Sequence, residues 1–113
     1  MVNKILTGAG LILNKTYRET RIITPPRDKS YAVYSDAQEI RGADYLNLIK
    51  EHDVTIEVYE YAPDPDIEKN IEDQFNLYAI SYTKQPRYFI QEEQLYQVIY
   101  EFTYIDKGGH IHE

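Results

Sequence analysis

The feature that most constrains the fold is the run from Gln94 to Asp106. Tyr96, Val98, Tyr100, Phe102 and Tyr104 fall on one side of an extended chain there, and Leu95, Gln97, Ile99, Glu101, Thr103 and Ile105 on the other. One face is wholly apolar or aromatic and the other half-apolar, so this strand is expected to be covered on both sides. The second cover is expected from either the N-terminal segment or another subunit.

A second alternation runs over Asp53–Glu60, where Val54, Ile56 and Val58 share a face opposite Thr55 and Glu57. Between the two lies a helix expected over about 65–77. Asp64 is placed to cap it, Pro65 suits its first position, and Asp66 faces the positive end of its dipole. Ile67, Ile71 and Phe75 recur every four residues and give it one apolar stripe, with Glu68, Lys69, Glu72 and Asp73 on the other face.

Around this unit the signals are shorter. Val2–Ala9 reads as a short helix limited by Gly8 and Gly10, and Leu11-Ile12-Leu13 as the start of a strand. Residues 15–29 are polar and end in Pro25-Pro26 and a basic stretch, so they read as an exposed arm carrying one strand at Thr20–Ile23. Tyr31–Tyr34 reads as a strand, residues 35–44 as a connection, Tyr45–Ile49 and Ala79–Thr83 as strands, and Tyr88-Phe89-Ile90 as a segment packing back. The expectation is a single α+β domain over residues 1–106. It has a mainly antiparallel sheet, with the short N-terminal helix and the amphipathic helix packed on one face. Residues 107–113 are expected to form a flexible tail.

At 113 residues one core is the natural size. The net charge of −7 is unevenly spread: residues 1–50 hold eight Lys/Arg against five Asp/Glu, and residues 51–113 hold four against fourteen. An acidic protein repels phosphate, which disfavours specific nucleic-acid binding. The polarity suits a head-to-tail contact in which one subunit's basic half meets the next one's acidic half, and equally a dipolar monomer. Twelve Tyr against three Phe and no Trp fit either half-buried strands or contact surfaces. With no Cys there is no disulfide, thiolate or zinc–sulfur chemistry. No stretch has the ~20 apolar residues of a membrane span, and the N-terminal apolar run is too short for a signal peptide, so a soluble protein is expected.

Catalysis needs a nucleophile with a base, paired carboxylates in a cleft, or a metal cluster. His52, between Glu51 and Asp53, reads as a solvated turn residue. His110, His112 and Glu113 have metal-ligand spacing but follow Gly108-Gly109 at a chain end with nothing to orient them. Asp64 and Asp66 are explained as helix caps, and Glu92-Glu93 point to opposite faces of an extended chain. Gly8-x-Gly10 lacks the strand and further glycine of a phosphate loop. No catalytic, cofactor or metal site is expected. An enzyme would need a buried carboxylate with a strongly shifted pKa set in a cleft.

The stretches Ala43-Asp44, Val54–Tyr59 and Asp66–Glu72, then Ile80-Ser81-Tyr82-Thr83-Lys84 with Tyr88–Glu93, and the closing Leu95–Phe102, resemble small proteins of the head–tail module of tailed phages and prophages. The resemblance spans about residues 43–106, and the closing segment is its most specific part. It implies a tail-terminator or tail-completion protein of a long-tailed phage, a structural subunit that closes into a ring, hexameric in that family. Such a ring caps the tail tube and joins the head connector, so the partners would be copies of the chain, tube and connector proteins. It would be a virion component assembled in the bacterial host cytoplasm, with no enzymatic activity. On this reading Arg18, Arg21, Arg27 and Lys29 are the basic contact residues, with Glu92, Glu93 and Glu101 as acidic counterparts. The rival is a monomeric regulatory module that holds a peptide or ligand on its aromatic face.

Overall fold

The computed structural model describes residues 1–20, 25–41 and 49–106. Helix α1 (Val2–Gly8) leads into strand β1 (Tyr17–Glu19), followed by β2 (Tyr31–Arg41), β3 (Ile49–Glu60), helix α2 (Pro65–Leu77), β4 (Thr83–Lys84), β5 (Tyr88–Ile90) and β6 (Leu95–Asp106). The strands form one sheet in the order β1-β2-β3-β6-β4, with β5 also on β6. All pairings are antiparallel except β1 with β2. The α+β class, the short N-terminal helix and the helix over 65–77 are as the sequence led one to expect.

Register explains the faces. Ala32, Val58 and Val98 lie side by side across the three long strands, as do Tyr34, Ile56 and Tyr100, and Asp36, Val54 and Phe102. This is the inner face. α1 packs on it through Val2, Ile5 and Leu6, and α2 through Ile71 and Phe75, each at most 5% exposed. Phe75 is the centre of an aromatic cluster, 4.5 Å from Tyr82, 5.3 Å from Phe102 and 5.6 Å from Tyr100 between ring centroids. A ring buried so completely stabilises by roughly 2–3 kcal/mol, and truncating it would cost about 3–5 kcal/mol.

α2 starts as its sequence dictates: Asp64 accepts from the Ile67 amide at 3.2 Å, with Pro65 behind it. It ends on Ala79, which takes the left-handed conformation (φ 55°) so that the Ile80 amide reaches the Phe75 carbonyl at 2.8 Å.

Several expectations are corrected. Residues 35–41 are not a connection; they continue β2. β3 begins at Ile49 rather than Asp53, so its inner-face positions include His52 and Glu60. His52 is not a solvated turn residue but 6% exposed inside the sheet. Arm residues 17–19 form the edge strand β1, and Tyr17 is 1% exposed. A side chain that large and apolar is worth more buried than mobile. Leu11–Leu13 yields only an isolated bridge from Leu13 to Tyr17. Of Ala79–Thr83 only Thr83 is in a strand, because the helix cap occupies the first residues. Glu68 is buried rather than on the wet side of α2. Thr20 is not in a strand but bends the chain at φ 70°; residues 21–23 of the strand expected there, the strand at residues 45–48 and the tail 107–113 lie outside the described residues.

Helix α1 does not cover the second face of the sheet, since it lies beside α2 on the first. It holds a small cluster of Tyr31 and Val33 with half-buried Tyr59 and Leu95. The long strands also outrun the helices. Twelve extended residues span ~40 Å and thirteen helical ones ~20 Å. Both helices sit over the half containing Phe102 and Tyr100, so the other half projects as a three-stranded ribbon.

Candidate functional site

The residues singled out for contacts fall into three places. Arg18 is exposed on the edge strand β1, and Glu101 is exposed on β6 toward the opposite edge, where Gln85 donates to it at 3.4 Å. Arg27 and Lys29 are exposed in the segment entering β2; Lys29 lines a small cleft of about 210 Å³ formed by residues 28–30 and 61–64. Glu92 and Glu93 are exposed in the turn before β6, at the same end of the sheet, and Glu93 helps burial raise the pKa of the Tyr31 hydroxyl. None of these six forms an ion pair among the described residues. The structure therefore gathers Arg27, Lys29, Glu92 and Glu93 at one end and sets Arg18 and Glu101 at opposite edges. Arg21, and the His110, His112 and Glu113 group, lie outside the described residues. Within the described residues no three His, Asp or Glu side chains converge on a metal-sized site.

Apolar exposure falls at both ends of the sheet. Ile40 and Ile105 on the projecting ribbon are each 61% exposed, and Tyr88 beside the acidic turn is 65% exposed. A cleft of about 490 Å³ opens beside β6, lined by residues 53–55, 81–83 and 101–103.

Two buried polar groups escaped the sequence reading. Glu60 is 0% exposed at the end of β3. Its Oε1 accepts from the Asp64 amide at 3.1 Å and from Arg87 Nε at 3.2 Å. Its Oε2 meets no donor. A proton on the Glu60 carboxyl lets it donate to Glu68. Burial first, and then this hydrogen bond, raise the Glu60 carboxyl to about 7. Burial pushes Glu68 up too, but hydrogen bonds from Glu60, Lys84 and Arg87 outweigh it and hold Glu68 at about 2. Lys84 bridges Glu68 at 2.9 Å and Glu72 at 2.7 Å, and the Tyr100 hydroxyl donates to the same Glu72 oxygen at 2.7 Å. This network ties β4 and the β4–β5 connection to α2 and β3. Glu60 meets one requirement of an acid–base catalyst, a raised pKa, but lines neither cleft.

The second group is His52. Its Nδ1 lies 2.8 Å and 2.9 Å from the two oxygens of Asp36, its ring stacks on Tyr104 at 4.3 Å, and its Nε2 has no partner. Both groups had one signal in the sequence. His52 and Glu60 share the even-numbered parity of Val54, Ile56 and Val58, which places Glu60 on the inner face of the expected strand and His52 on it once the strand is extended back to Ile49. No family model matches the chain, and no curated protein matches it.

Proposed function

We propose that the chain is a structural subunit of the head–tail junction of a long-tailed phage. It would be a tail-terminator or tail-completion protein that acts by closing into a ring with copies of itself. The observation that carries the assembly reading is apolar surface exposed on the described chain, with Ile40 and Ile105 on the ribbon each 61% exposed and Tyr88 65% exposed. Both helices lie on one side of the sheet, while on the other Tyr31 and Val33 are buried against half-buried Tyr59 and Leu95. The unpaired charges give the direction of the contact. Arg18 and Glu101 sit on opposite sides of one sheet, the arrangement a head-to-tail contact uses and a two-fold dimer does not need. The phage assignment rests on the resemblance of residues 43–106, and the hexameric number comes with it.

One observation favours the monomeric binding module. The cleft beside β6 has the volume of a small-molecule or peptide site and carries Tyr82, Phe102 and Thr103.

Native mass spectrometry over a concentration series, with and without magnesium and backed by negative-stain imaging, separates the two. A closed ring with a central hole is expected. A strict monomer at every concentration, even with isolated tail tubes present, overturns the assembly reading and promotes the binding module.

A further inference from the structure

Three strands carry the projecting ribbon, and both of its outer edges are open among the described residues. β1 pairs with β2 only as far as Tyr34, and β4 pairs with β6 only at Tyr100 and Glu101. Beyond those points β2 runs on to Arg41 and β6 to Asp106 with no described strand outside them. The direction of the backbone groups follows from the bonds already made. The Ala32 amide donates outward to the Thr16 carbonyl, and the Tyr34 carbonyl accepts from the Thr20 amide, both at 2.8 Å. Alternation then aims the amides and carbonyls of Asp36, Gln38 and Ile40 at the open side. On β6 the Ile99 carbonyl accepts from the Gln85 amide at 2.9 Å, so Thr103 and Ile105 also face outward.

We infer that these edges join between copies, with β2 of one subunit adding to β6 of the next as a parallel strand and Gln38 bonding to Thr103 and Ile105. The inference rests on the ring reading and specifies its contact. Three features of the register meet its requirements. The first is sense. β2 opposes β3 and β3 opposes β6, so β2 and β6 run the same way. A rotation about an axis along the strands keeps that sense and makes the new pair parallel. The second is level. Gln38 lies opposite His52, and His52 opposite Tyr104, so the two open edges stand at the same height and no climb is needed for closure. The third is phase. A parallel pair requires an outward-facing residue on one strand to sit opposite an inward-facing one on the other. Gln38 faces out and Tyr104 faces in. Strand edges with no described neighbour are templates for strand addition, and a closed ring joins both at once.

The test is amide hydrogen exchange on the wild-type chain, dilute and assembled, together with Gln38→Pro and the control Gln38→Ala. Proline at this edge removes an outward donor and leaves the β2–β3 bonds untouched. Assembly is expected to slow exchange at Gln38, Ile40, Thr103 and Ile105 by about tenfold or more. Q38P should raise the concentration for half-assembly by about tenfold, while Q38A assembles like the wild type. A ring in which these four amides exchange as fast as in the monomer overturns the joint and leaves the ring reading standing. So does protection of the same amides in the monomer, which would mean the chain covers its own edges. A wild type that never assembles overturns both. The exchange measurement decides the matter even where Q38P does not fold.

Discussion

Glu60 and Glu68 share one guanidinium: Arg87 donates through Nε to Glu60 at 3.2 Å and through Nη2 to Glu68 at 2.6 Å. Two buried carboxylates in contact cannot both ionise cheaply, so the proton stays on the more deeply buried Glu60. The pH dependence follows with opposite signs. The pKa of Glu60 is raised from the ordinary 4.5 to about 7, so its contribution is complete below 4.5 and lost as pH rises through about 7. That of Glu68 is depressed to about 2, so its contribution is present above 4.5 and lost as pH falls through about 2. Stability from this pair is therefore greatest near pH 4.5. Thermal unfolding of the monomer should show a loss on the order of 2 kcal/mol between pH 5 and 8. Glu60→Gln keeps the donor to Glu68 without the titration, and its curve should be flat over that span. A wild-type curve already flat between pH 5 and 8 would remove the shared proton.

The same pair makes Arg87 a structural residue. Replacing it with Met leaves two buried carboxylates facing each other and should cost about 2 kcal/mol, below the usual figure for a buried pair because the arginine is a third exposed. In the E60Q background the cost should be smaller, since no charge-assisted bond from Arg87 to an ionised Glu60 is then lost at pH 7.5. Denaturant melts of the four proteins at pH 7.5 measure the coupling. Additive losses would mean that Arg87 acts on Glu68 alone.

Ala79 shows why some boundaries were hidden in the sequence. Helix ends of this geometry normally announce themselves with Gly, and here the left-handed position is held by Ala at φ 55°. Ala79–Thr83 therefore reads as the start of a strand when its first residues close α2. Ala79→Gly should stabilise the monomer by about 0.5–1 kcal/mol, measured by chemical denaturation, because it relieves the strained conformation. A destabilised variant would mean that the Ala79 methyl makes a contact worth more than that strain.

The strands that alternate cleanly, Val54–Val58 and Tyr96–Tyr104, were legible because apolar burial sets their period. The halves that project beyond the helices were not. In residues 35–41, Ser35, Asp36, Gln38 and Glu39 give no apolar period, and the segment is a strand because β3 supplies its partner residue by residue. His52 and Glu60 broke the pattern at the ends of β3 for the same reason: each is inner-facing and held by a charged partner that no local window contains. Of the candidate site, the basic and acidic residues could be read from charge runs. Their placement at opposite edges and at one end of the sheet could not, since it depends on the order β1-β2-β3-β6-β4.

Charge and backbone should contribute separably to assembly. Ala in place of Arg18, Arg27 and Lys29 removes cations that make no ion pair among the described residues, so the monomer should melt within about 2 °C of the wild type. If these cations meet Glu92, Glu93 and Glu101 of a neighbour, the variant should assemble less well at low ionic strength. The deficit should shrink as salt rises from about 0.05 to 0.5 M, because screening then removes the same attraction from the wild type. Strand addition at the ribbon depends on neutral backbone groups and should leave a salt-insensitive remainder in both proteins. Sedimentation velocity across that salt series, with the Q38P variant beside the basic-to-Ala variant, reads both contributions. Assembly unchanged at low salt, or a change confined to thermal stability, would take the basic residues out of the contact and leave the strand edges to carry it.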